Sequence, residues 1–300
     1  MPQIPTFPRF RPIELEDRAL LLEHLEAFQP QISEYTFTNL YVWRKSDQTL
    51  LSRRGNVLLV KALKCPDERE VLLPPIGSKD VPGTVSELAR EVGKGEKFPA
   101  VYGVSKDQAE ALVKIGFSAK LDRDNSDYVY LVKDLIELPG TRFHSKRQAI
   151  KRCLSEHRCE YVPITPDTVE LCLQLQEKWC NLVNCNESQG LREEDQAIKE
   201  TFLHYNDLNV FGAAVSVDGG IQAFTVGEKL NNDTAVIHFE KANPKIRGLY
   251  QLINQWFCKN ALAGYTYVNR EQDLGEPGIR QAKEGYHPQR MIEKYIAEQA

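Results

Sequence analysis

Lys283 is the residue in this chain whose placement most needs a chemical reason. Helical spacing over 278–286 puts Ile279, Ala282 and Tyr286 on one apolar stripe, with Lys283 between them. An ammonium turned toward a core is costly unless something pairs with it, so Lys283 reads as the leading functional residue. Just upstream, Arg270, Glu271 and Asp273 follow a strand-like run at 265–269, and Gly275 and Pro277 open the next helix. His238 and Glu240 share one face of a period-two run at 234–241. A carboxylate at a strand end can act as a general base or bind an ammonium group. The structural alternative for Glu240 is an ion pair with Lys241 or Arg270.

Other candidates come with two readings each. Arg247 and Gly248 fall in the first turn of a helix at 246–262, and Gln251 points away from its apolar face. Free N–H groups and the helix dipole there suit an anion, but a close helix–sheet contact would equally call for the glycine. Arg147 lies at the edge of a stripe made by Phe143, Ile150 and Leu154, and so faces a structural carboxylate or an anionic ligand. Asn39 and Trp43 belong to an aromatic-dense stretch, 33–43, which reads as core packing with helix caps or as the stacking wall of a ligand cleft.

The elements that must position these residues alternate between the two periods. The first half reads as a helix at 14–28 and a hairpin around Arg54-Gly55, with strands at 100–104 and 128–133 and helices at 84–92 and 106–115. A basic helix, 143–157, connects the halves. The second half repeats the order: helices, a hairpin turning at Asp218-Gly219, then strand, helix, strand, helix. This is an α/β layout, and its polar residues gather where strands end and helices begin, the place where open α/β folds bind ligands.

Composition narrows the classes. With 300 residues, 42% of them hydrophobic, two domains are expected. The net charge of −4 argues against blanket coating of nucleic acid. Apolar runs fall short of the roughly 20 residues of a membrane span, and the N-terminus has no basic-then-apolar leader. None of the seven cysteines forms a C-x-x-C pair, and Cys153, His157 and Cys159 lack zinc spacing, so buried or free thiols and no metal are expected. The expectation is a soluble, reduced, cytoplasmic protein.

Three motifs carry a resemblance. Ser33-Glu-Tyr-Thr-Phe-Thr-Asn-Leu-Tyr-Val-Trp43, Gly140-x-x-x-His144-x-Lys146-Arg147 and the run from Asn269 through Gly275, Arg280 and Lys283 to Pro288 resemble the phosphatidylglycerol lysyltransferase C-terminal domain family, across essentially the whole chain. The resemblance implies two tandem acetyltransferase-like (GNAT-like) domains, placed at 1–140 and 159–300 with a connecting helix at 141–158. It implies transfer of an aminoacyl group from aminoacyl-tRNA to a small-molecule or lipid acceptor, and a kinship in fold to the Fem transferases. It also implies Arg270, Glu271, Asp273, Arg280 and Lys283 as site residues. Glu240, Arg147 and Arg247 join them on the physical argument above, and Lys283, Glu240, Asp273 and Arg270 are then expected in catalytic roles. Arg147, His238, Arg247, Gly248, Gln251, Glu271, Arg280, Tyr286, Asn39 and Trp43 take substrate-binding ones. No separate cofactor is expected. Acetyl-CoA belongs to the alternative, an acyl-CoA-dependent N-acyltransferase, against which Tyr250 stands where that motif keeps a small residue. A non-catalytic binding module on the same fold is the third reading.

Overall fold

A computed structural model describes residues 3–64, 69–92 and 97–299. The chain opens with β1 (Arg11–Pro12), α1 (Arg18–Phe28), α2 (Phe37–Val42), β2 (Leu50–Arg54), β3 (Val57–Lys64) and β4 (Arg69–Leu72). Next come α3 (Val81–Glu91), β5 (Ala100–Val104), α4 (Lys106–Lys114), β6 (Phe117–Leu121) and β7 (Asp127–Leu131). It continues through α5 (Val132–Glu137), α6 (His144–Glu156), β8 (Cys159–Pro163), α7 (Pro166–Val183), α8 (Gln189–Leu203) and α9 (Tyr205–Leu208). The last part is β9 (Phe211–Val217), β10 (Gly220–Lys229), β11 (Thr234–Ala242), α10 (Leu249–Asn260), β12 (Tyr267–Asn269), α11 (Pro277–Glu284), β13 (Arg290–Ile292) and β14 (Tyr295–Gln299). Polar side chains start several helices: Asp80 accepts from Gly83 N at α3, and Ser105 and Gln108 form a capping box at α4.

The chain divides into two compact units, and among the described residues the named strands form two seven-stranded sheets. The first unit holds residues up to 127, then 272–276 and those from 291 on. Its sheet runs β1-β2-β3-β4-β5-β14-β6, antiparallel except for the parallel pair β4–β5, which α3 connects. Val85, Leu88, Val101, Leu112 and Ala297 are fully buried in its core. The second unit holds 128–271 and 277–290. Its sheet runs β8-β9-β10-β11-β12-β7-β13, with the parallel pair β11–β12 connected by α10. α10 buries Leu249, Leu252, Ile253 and Phe257, and packs on β9, β10 and β11 and on α5 and α6.

Position by position, one sheet repeats the strand order of the other. The sixth strand of each comes from outside its own run: β14, at the end of the chain, in the first sheet, and β7 in the second. This partition departs from sequence boundaries at 140 and 158, and it gives α6 to the second unit instead of leaving it as a connector. Residues 127–130 are all buried, so β7 shows no alternation between an inner and an outer face, and its pattern carries no preference for the sheet before or after it.

One cysteine expectation is corrected. Cys180 and Cys185 form a disulfide, whereas Cys153, Cys159, Cys172 and Cys258 are free thiols. Asn184, at φ 56°, ends α7 in the left-handed conformation and turns the chain back. That turn brings the two Cα atoms to 4.9 Å, within bridging range. Among the described residues, no helix is long and apolar enough to cross a membrane.

Candidate active site

The polar groups of the second unit converge at the ends of β11 and β12. Arg270 leaves β12 directly, and its Nη2 donates to Glu240 Oε1 of β11 at 3.0 Å. Asn254 of α10 donates to the other carboxylate oxygen, also at 3.0 Å. Both charged side chains are nearly out of solvent, 13% and 12% exposed. Burial would lower the Arg270 pKa, but Glu240 together with Tyr130, Tyr286 and Cys258 outweighs it and holds the guanidinium charged. Its flat face lies 4.8 Å from the Tyr286 ring centroid and 5.6 Å from that of Tyr130. Lys146, in the first turn of α6, places Nζ 4.4 Å from the centroid of Tyr286. Burial and the Arg270 charge lower the Lys146 pKa.

Lys283 is partly buried, and its ammonium donates to the main-chain carbonyls of Arg270 and Glu271. It thus ties down the backbone that carries Arg270, where Glu271 takes a left-handed φ of 57°. The apolar stripe expected around it is corrected: Ile279 is 42% exposed, Ala282 is exposed, and only Tyr286 is buried. α11 spans just eight residues, too short to lay a full stripe on a core, and the inward ring comes from beyond its end.

His238 occupies a closed position between two carboxylates. Nδ1 lies 2.9 Å from Glu271 Oε1 and Nε2 lies 2.9 Å from Glu228 Oε1 of β10. Burial would lower its pKa, but the hydrogen bonds and charges of Glu228 and Glu271 raise it to about 9. The ring is therefore an imidazolium donating to both sides at neutral pH. Next to it the register of β10 shifts between Val226 and Gly227. A β-carbon at Gly227 would stand 2.3 Å from Val236 O, so the close approach of the strands excludes a side chain there.

The remaining sequence candidates lie elsewhere. Arg147 donates to the carbonyls of Leu138 and Gly140, which answers its choice between carboxylate and ligand with main-chain oxygens. Arg247 is exposed and precedes α10, which begins at Leu249 and not at 246. Gly248 caps that helix at φ 87°, and a β-carbon on it would meet Ala149 O of α6 at 2.1 Å. The close contact is therefore with a neighbouring helix and not with the sheet. Gln251 and Arg280 are partly buried. Asp273, fully buried in the first unit, accepts from Arg123 at 3.1 Å and from Gly275 N at 2.9 Å. In that unit, too, Asn39 sits on α2, donating to Ser33 O at 2.8 Å, and Trp43 ends the helix.

Sequence reasoning passed over Asn254, Tyr130 and Glu228, and gave Lys146 no role beyond its place in a motif. Asn254 had a readable signal, since a fully buried amide on the apolar face of α10 requires partners. Lys146 was masked by the basic run around it. In the first unit, Lys294 is fully buried, its ammonium 2.6 Å from Asp127 and 2.8 Å from Glu34. Nothing in its local pattern marks it.

Known structures place this arrangement. A conserved protein of unknown function from Bacteroides thetaiotaomicron is 32% identical, with a TM-score of 0.89 over 97% of this chain and 99% of its own. The C-terminal domain of a putative lysylphosphatidylglycerol synthetase from Agrobacterium fabrum shares the fold at 17% identity and a TM-score of 0.67, over 95% and 92% of the two chains. FemX shares it at 11% identity and a TM-score of 0.60, over 96% of each. The two repeated sheets are thus tandem GNAT-like domains, as the sequence resemblance implied. A search of curated proteins finds no match. A family model described as phosphatidylglycerol lysyltransferase, C-terminal, matches residues 25–298, and the chain belongs to that family.

Proposed function

We propose that this protein is an aminoacyltransferase that takes its acyl group from aminoacyl-tRNA and passes it to a hydroxyl or amine acceptor. The observation that carries the reading is the buried Glu240–Arg270 pair at the strand ends, in a chain of this family. In the reaction the acceptor oxygen or nitrogen bonds to the ester carbonyl carbon, the bond to the ribose oxygen breaks, and the acceptor's proton ends on the ribose hydroxyl. Glu240 holds the aminoacyl ammonium or receives the acceptor proton, and Arg270 stabilises the oxyanion. Lys283 fixes the backbone that aims Arg270, and Glu271 and His238 support it from the side. No separate cofactor is invoked.

Acyl-CoA as donor has less support. A pyrophosphate needs open N–H groups at a helix start, whereas Gly248 is pressed against the Ala149 carbonyl. Two binding measurements separate the donors. Aminoacyl-tRNA should be retained on filters at low salt and released as salt rises, by at least about tenfold in affinity between 50 and 200 mM. Acetyl-CoA should give little or no heat in calorimetry. Micromolar acetyl-CoA affinity with no tRNA retention would reverse the assignment.

A further inference from the structure

We infer that Cys153 and Cys159 are a reversible modification site, a thiol pair that a small-molecule disulfide oxidises to an intrachain disulfide. Both are free thiols, six positions apart, Cys153 in the last turn of α6 and Cys159 opening β8. Their sulfurs lie 3.9 Å apart. A bond needs about 2.05 Å, so side-chain movement of about 2 Å, shared by two residues, separates contact from bridge. The turn between them is pinned. The His157 N–H caps α6 on Cys153 O at 3.0 Å, and His157 Nδ1 lies 2.8 Å from Asp218 Oδ2. Arg158 N donates to Asp218 Oδ1 at 3.0 Å, and Asp218 N donates to Arg158 O at 2.9 Å. Asp218, in the turn between β9 and β10, thus holds both residues that link the helix to the strand. The sulfurs stand side by side without a bond between them.

Exposure sets the order of events. Cys153 is fully buried, whereas Cys159 is partly exposed on β8, the edge strand of its sheet. The Cys159 thiolate attacks one sulfur of the reagent, the reagent S–S bond breaks, and one small thiolate leaves with the electron pair. The Cys153 thiolate then attacks the Cys159 sulfur and displaces the second small thiolate. Two protein thiols are oxidised, one reagent disulfide is reduced to two thiols, and the two cysteine protons end on those thiols. Burial pushes the Cys153 thiol up to about 12 and raises Cys159 as well. Thiolate is therefore scarce at neutral pH, and closure takes minutes to hours. The bridge forms where two helices meet. A β-carbon at Gly248, the cap of α10, would stand 3.2 Å from Cys153 Cβ, and α10 carries the Asn254 that donates to Glu240. Closure thus bears on the α6–α10 contact, and the assignment does not depend on what the strand-end site transfers.

The test treats the full-length protein with oxidised glutathione, alkylates the remaining thiols after denaturation and maps the peptides by mass spectrometry. Trypsin cleaves after Arg158, between the two cysteines, so the bridge appears as two joined peptides. Fragmentation separates Cys159 from Cys172, which lies on the same peptide. Wild-type protein should lose alkylation at Cys153 and Cys159 together, keep no glutathione on either, and regain both thiols with dithiothreitol. Cys153→Ala, which keeps the buried position apolar, should instead retain glutathione on Cys159, several-fold above wild type. Cys159→Ser should leave Cys153 fully alkylated. Stable glutathione on wild-type Cys159, a bond from Cys153 to Cys172 or Cys258, or both thiols still free after overnight exposure overturns the proposal. The wild-type map decides even where a variant fails to fold. No aminoacyl donor enters the measurement, so this pair and the transferase reading can fail independently.

Discussion

A histidine enclosed by two carboxylates behaves differently from one in water. His238 is raised above its unfolded value of about 6.5 to about 9 by Glu228 and Glu271, against the pull of burial. Its contribution to stability is therefore complete below about pH 6.5 and is lost as pH rises through about 9, worth on the order of 3 kcal/mol. Denaturant unfolding at pH 6 and pH 10 should show that loss, and His238→Gln should flatten the profile. An NMR titration of His238 near 6.5 would contradict this. The Glu240–Arg270 pair makes a separate prediction. Glu240→Gln keeps the shape but removes the charge, so aminoacyl transfer should fall by about 10²-fold or more while the protein still unfolds cooperatively. The pairing itself was one of the sequence alternatives for Glu240, because both residues stand at strand ends where only sheet register was unknown. Lys283 was found to need partners, and these include the main-chain carbonyls of Arg270 and Glu271, which no pattern of side-chain types displays.

At the scale of elements, hairpins and helices were largely legible, since turn residues such as Arg54-Gly55 and Asp218-Gly219 lie between strands with clear periods. Short pieces were not: β6 follows α4 closely and has a mostly exposed pattern, and β13 has only three residues. Gly248 shows how a correct residue can carry a wrong reason. Its placement against α6 predicts that Gly248→Ala costs about 1–3 kcal/mol, from left-handed strain and the Ala149 clash together. Thermal unfolding would report this directly, and an unchanged transition would refute the contact. Lys294 gives the matching case in the first unit. Burial opposes its charge, but Asp127 and Glu34 raise its pKa. Lys294→Met strands those carboxylates and should cost about 3–5 kcal/mol. An unchanged denaturation midpoint would refute the pairing.

At the scale of the molecule, the repeat of strand order explains why both halves looked alike without sharing a visible sequence repeat. Each sheet follows the same topology, yet completes it with a strand encoded in the other's neighbourhood, β14 for the first and β7 for the second. Local periodicity reports that a strand exists and is silent about its long-range partner, so the domain count was accessible and the boundaries were not. The same limit applies to chemistry. The fold accommodates several reactions, and the choice among them rests on the Glu240–Arg270 site and the family. The most direct test is a single-turnover assay in which wild-type protein is mixed with tRNAs carrying labelled amino acids and with lipid and amine acceptors. The account predicts that label leaves the tRNA ester and appears on an acceptor, and that Glu240→Gln and Arg270→Lys greatly slow this. Label that stays on tRNA with every acceptor, while acetyl-CoA is consumed in a parallel reaction, would contradict it.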